Sequence, residues 1–146
     1  MEPEAICTVT QGGFEEIELA VDSGATETVI GERMLGSIKS SAGRKGVRYE
    51  TATGDIVEKL GQKDFVAVTD DTAMTRSMTA QVAEGVTKGL LSVVKAMDAG
   101  NRVVFDSDGS YIIDKHTGEY TEMYKKDGLM QIKLWCRKPT EDETPF

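Results

Sequence analysis

Alternation with a period of two is the feature that most narrows what this chain can become. In FEEIELAVD, Ile17, Leu19 and Val21 fall on one face and Glu16, Glu18 and Ala20 on the other. That is the pattern of a half-buried strand. The same alternation returns in GLMQIKLWC and, in shorter form, in ICTVT, VRYETATGDIVEKLG, DFVAVTDD and SMTAQVAEG. Turn formers separate these runs: Gln11-Gly12-Gly13, Thr53-Gly54-Asp55 and the Asp-Gly of FDSDGSYII. GERMLGSI is expected to form a helical turn. DKHTGEYTEMY is expected to form a further hairpin. One segment breaks the rule. In TKGLLSVVKAMDAGN, Leu90, Leu91, Val94 and Met97 recur at helical spacing, with Gly100-Asn101 as a C-terminal cap pair. Many short strands and one short helix in the C-terminal half predict an all-β fold, a barrel or a sandwich.

At 146 residues the chain is long enough for a single domain with its own core. No linker divides it, so the domain is expected over 1–137, with a polar, disordered tail over 138–146. The net charge of -8 argues against a binder of nucleic acid, which needs a basic face. No apolar run reaches the roughly 20 residues that span a membrane, and MEPEAIC lacks the apolar stretch of a signal peptide. An intracellular location is the expectation. Cys7 and Cys136 are neither a disulfide framework nor a zinc site and are expected to be buried free thiols.

The stretch LAVDSGATETVI carries the chemistry. An acid follows directly on an apolar strand, where water is scarce, and the chain then turns through Ser23, Gly24 and Ala25 before becoming apolar again. Taken alone, Asp-Ser-Gly is a turn, because Asp and Ser bond the local backbone and Gly accepts unusual dihedrals. Read with its flanks, LAVDSGA resembles the active-site segment of aspartic proteases, apolar-apolar-Asp-Ser/Thr-Gly-Ala. Further along, GLLSVVKAMDAGNRVVFDSDGSYI resembles the corresponding run of Copia-type retrotransposon polyproteins. The two motifs stand in the family's order, and the resemblance covers roughly residues 5–135. Ser92 stands where many members of the wider family carry glycine, which marks the Copia-like subtype.

The resemblance implies a retropepsin-like (retroviral-type) aspartic protease domain: a single-lobe closed barrel with a flap hairpin. It implies Asp22 as the catalytic acid, supported by Ser23, Gly24 and Ala25. Ser23 would orient the carboxylate, Gly24 would admit the substrate backbone, and Ala25 would let two loops pack. The flap would be Thr53, Gly54 and Asp55, closing over an extended peptide, with Ile30, Val57 and Leu90 as apolar walls. The chemistry needs two carboxylates and the chain carries one such triplet, so a homodimer is implied, with LMQIKLW as the candidate interleaving strand. The substrate would be its own polyprotein, and neither metal nor organic cofactor is implied.

Other chemistries fit less well. Ser23 lacks a nucleophile elbow, and the one histidine, His116, lies in a polar hairpin. Setting Gly109 on the glycine of a calcium loop puts Val104 at the first ligand position and Lys115 where the closing acid belongs. Met74, Met78 and Met97 read as core, and Trp135 as packing or interface. The remaining alternatives are a non-catalytic retropepsin-fold dimerisation module and an unrelated β-barrel binding protein in which Asp-Ser-Gly is only a turn.

Overall fold

A computed structural model describes residues 13–41, 48–50 and 56–140, with the backbone alone for 48–50 and 56–58. The period-two segments are strands. In chain order they are β1 (Glu15–Asp22), β2 (Val29–Gly31), β3 (Arg48–Glu50), β4 (Ile56–Thr69), β5 (Thr75–Ala83), β6 (Gly89–Ser92), then the helix α1 (Val93–Asp98), followed by β7 (Asn101–Val104), β8 (Tyr111–Asp114), β9 (Tyr120–Glu122), β10 (Tyr124–Lys126) and β11 (Leu129–Arg137). The fold is all-β with one short helix. The expected first strand ICTVT, Cys7, the flap residues Thr53, Gly54 and Asp55, the Val57 side chain and the end of the tail, 141–146, lie outside the described residues.

An eight-stranded sheet runs in the order β10-β11-β1-β6-β2-β5-β4-β3, and a three-stranded sheet in the order β9-β8-β7. Strand β11 also pairs with β4, Leu134 opposite Thr69 and Cys136 opposite Ala67. The pairings therefore return on themselves, from β11 through β1, β6, β2, β5 and β4 back to β11. This order puts β11 in the interior of the sheet. It is hydrogen-bonded to β1 on one side and to β10 and β4 on the other. Its backbone groups are thus paired within the chain.

Alternation decides what is buried. Ile17, Leu19 and Val21 face inward from β1, and Ile132, Leu134 and Cys136 from β11 in register with it. Phe65, Leu19 and Ile30 are fully buried, each worth roughly 1.5–3 kcal/mol relative to exposure. Cys136 is a free thiol whose ionisation burial pushes far upward, so it is inert packing.

Strand β4 is longer than the sequence suggests, because Gly61 does not end it. Instead the pairing register with β5 shifts between Lys59 and Gly61, which makes a bulge. Gly61 has φ +146 and a Cβ there would lie 2.5 Å from the Ser41 carbonyl oxygen, so only glycine fits. Just beyond, the buried Lys63 donates from Nζ to the carbonyls of Met34 (3.0 Å) and Leu35 (2.7 Å). This ties down residues 32–37, which are turns rather than a helix, with Leu35 at φ 55.

The helix differs from its pattern. Leu90 and Leu91 belong to β6, and Val94 and Met97 point to solvent, 45% and 56% exposed. Only Val93 is buried from α1, so Met97 is not core. Met74 is core, and Met78 packs against it. The small sheet is held to the large one by charge. The Arg76 guanidinium donates to Asp114 (2.7 Å) and Glu119 (2.8 Å), while Thr121 Oγ1 donates to Asp71 (2.9 Å).

Candidate active site

Asp22 is the last residue of β1, half-buried, and pairs with Ser92 at the end of the parallel strand β6. The chain then turns. Gly24 N–H donates to Asp22 Oδ1 at 2.7 Å, and Ala25 N–H reaches the Asp22 carbonyl at 3.4 Å. Ser23 and Gly24 are exposed and Ala25 is half-buried. The carboxylate is thus bonded by the Gly24 backbone N–H. The turn presents one half-buried carboxylate, held from behind.

What holds it is Ser92, fully buried. Its hydroxyl donates to the Ala25 carbonyl at 2.7 Å and accepts from Lys95 N–H at 3.1 Å, so one oxygen fastens the Asp22 turn and caps α1. Ser92 N–H in turn donates to Thr28 Oγ1 at 3.1 Å, and the Thr28 carbonyl accepts from Gln81 N–H at 2.8 Å. The two buried hydroxyls tie the loop to β6, and the Thr28 backbone carbonyl ties it to β5. Thr28 escaped the sequence reading, and Ser92 entered it only as a subtype marker. Its capping signal, a serine directly before Val93, was legible in principle. Replacing Ser92 by alanine should cost about 2–3 kcal/mol of stability, the sum of a lost cap and an orphaned carbonyl. Urea denaturation checks this.

Of the expected apolar walls, Leu90 is half-buried in β6, while Ile30 is fully buried and belongs to the core. Strand β3 and residues 56–58 of β4 pair antiparallel, Arg48 opposite Glu58 and Glu50 opposite Ile56. Asp106 makes the same local turn as Asp22, its carbonyl accepting from Gly109 N–H at 3.1 Å, but it does not end a buried strand. It is exposed in the β7–β8 connection, where its carboxylate accepts from Asp108 N–H at 3.0 Å. His116 is exposed in the β8–β9 turn. Trp135 donates from Nε1 to Asp70 at 3.0 Å.

On the outer face of β1, Glu18 sits among Lys88 (2.9 Å), Lys126 (3.2 Å) and the Tyr124 hydroxyl, which donates to it. Partial burial alone would raise the carboxyl pKa. The hydrogen bonds from Tyr124, Lys88 and Lys126 outweigh it and bring the value from 4.5 down to about 2. The folded chain therefore binds this proton less readily than the unfolded chain. The contribution to stability is complete above pH 4.5 and is lost as the pH falls toward 2. In Glu18→Gln, the drop of the urea midpoint between pH about 6 and about 3 should be smaller than in the wild type.

Among the described residues no helix is long and apolar enough to cross a membrane, and no group of three or more His, Cys, Asp or Glu side chains could hold a metal ion. Set against protein-family models, curated proteins and solved structures, the chain matches none of them.

Proposed function

We propose that the chain is a retropepsin-like aspartic endopeptidase of the Copia-type retrotransposon kind, acting as a homodimer on extended peptide segments of its own polyprotein. The observation that carries this reading is the setting of Asp22. It ends an apolar strand in an Asp-Ser-Gly-Ala turn, accepts a backbone hydrogen bond, and is fastened from behind by a buried serine. The ring of strand pairings agrees with a single-lobe closed barrel.

The mechanism follows from the carboxylate. A single subunit supplies one, and a two-fold axis brings a second of the same kind. Two carboxyls about 3 Å apart cannot both ionise, so they share one proton. The ionised Asp22 takes a proton from a water whose oxygen attacks the peptide carbonyl carbon. The protonated Asp22 gives its proton to the carbonyl oxygen. The tetrahedral intermediate then collapses: the Asp22 that took the water's proton gives it to the nitrogen, the other Asp22 takes back a hydroxyl proton, and the carbon–nitrogen bond breaks to release an acid and an amine. The substrate would lie extended, bonded through its main chain, with side pockets setting preference.

The test is cleavage of a mixed peptide library at pH about 5 and about 7, with and without pepstatin. Inhibitable cleavage supports the enzyme, and the cut sites give its specificity. A dimer without cleavage would favour the non-catalytic module. A monomer without cleavage would leave Asp22 as a turn residue.

A further inference from the structure

We infer that the outer face of the three-stranded sheet is a docking surface for the same face of a second copy of this chain. The sheet has two unlike faces. Ile112 and Thr121 are buried on the inner one. Alternation puts Arg102, Val104, Tyr111, Ile113, Tyr120 and Glu122 on the other. Arg102, Tyr120 and Glu122 are exposed, and the remaining three are half-buried. Tyr120 is 53% exposed, although its ring meets that of Tyr111 edge to face at 6.2 Å. Tyrosine and arginine are the residues that protein interfaces favour. Asp22 ends β1, in the other sheet, so the protease reading is not needed for this contact.

The strand register specifies the occupant. The six residues form two rows across the strands, Val104-Tyr111-Glu122 and Arg102-Ile113-Tyr120. Arg102 and Glu122 therefore stand at opposite corners. Among the described residues neither has an ion pair or a side-chain hydrogen bond. Consider two such faces stacked about a two-fold axis that lies between them, perpendicular to the Arg102–Glu122 diagonal. The rotation exchanges the corners, so each arginine meets the glutamate of the other copy, twice per interface. With strands roughly 4.8 Å apart and alternate residues about 6.8 Å apart, the same rotation lays Tyr120 over Ile113 and Tyr111 over Val104. The two sheets then cross at about 70°, close to the orthogonal class of sheet packing. The face is thus complementary to itself in charge and in apolar surface. It is smaller than a standard interface, so the association is weak, with a Kd on the order of 100 μM.

The test is a charge swap read by sedimentation over a concentration series of the full chain. Salt is held at about 150 mM, where a Debye length of about 8 Å screens the repulsion between chains of net charge -8 but not pairs in contact. Any pairing through Asp22 is common to all the variants and sets one baseline. Arg102→Glu puts glutamate against glutamate and Glu122→Arg puts arginine against arginine, so each alone should weaken the association at least about tenfold. Glu122→Arg also makes the chain less negative, so general repulsion alone would predict tighter association, the opposite result. An equal mixture of the two variants pairs unlike charges at both corners and should recover the wild-type affinity, as should the double variant. Recovery also shows that both variants fold. In the wild-type chain, backbone amide shifts that depend on concentration should include those of β7, β8 and β9. No association of the wild type above the Arg102→Glu baseline, tighter association of Glu122→Arg, or a mixture that does not recover would each overturn the assignment.

Discussion

Replacing Asp22 by asparagine is expected to lower kcat/KM for peptide cleavage by at least roughly a thousandfold while leaving the fold intact. The side-chain oxygen remains, so the 2.7 Å hydrogen bond from Gly24 N–H can persist. Asn also keeps the size of the residue at the half-buried end of β1. What disappears is the exchangeable proton, because an amide can neither take one from water nor pass one to a carbonyl oxygen. Kinetics on the best library substrate, paired with a urea denaturation midpoint, separate the two effects. Lost cleavage with an unchanged midpoint is the expected pair. Retained cleavage would remove Asp22 from the chemistry.

Replacing Gly31 by alanine is expected to destabilise the chain by at least about 3 kcal/mol, among the larger effects a single methyl group can have. Gly31 ends β2, the short strand that joins β6 to β5. A Cβ there would lie 1.9 Å from the Val86 carbonyl oxygen and 3.0 Å from its carbon. These are backbone atoms, so no rotamer relieves the overlap. The segment leading into β6 would have to move, and Ser92 and the turn it fastens would move with it. Gly36→Ala is the control. Its φ is not positive and nothing lies within 4 Å of the added methyl, so its effect should stay within about 0.5 kcal/mol. Urea midpoints of the two variants test this directly.

Much of this fold was legible in the sequence because alternation reports burial directly. Ile17, Leu19 and Val21 face inward as their spacing predicts. The hairpins around Asp106–Ser110 and around Thr117-Gly118 also lie where their turn residues put them. The errors share a cause. Leu90 and Leu91 were grouped with Val94 and Met97 because four apolar residues matched a helical period, yet the first two lie in β6 beside β1. Their burial comes from that strand pairing, which a local period cannot see. Gly61 reads locally as a stop, whereas the pairing with β5 carries the strand through it as a bulge. At the site, Asp22 and its turn were legible from their own residues. The Ser92–Ala25 and Ser92–Thr28 bonds were not, since they join positions brought together only by the parallel pairing of β1 and β6.

The central claim is that hydrolysis needs one Asp22 from each of two subunits. The most direct test mixes wild-type chain with Asp22→Asn chain at constant total concentration, allows exchange, and measures peptide cleavage against the wild-type fraction. If both carboxylates are required, only wild-type pairs cut, and activity falls as the square of that fraction. A linear fall would mean that each subunit works alone, and the paired-aspartate account would be wrong.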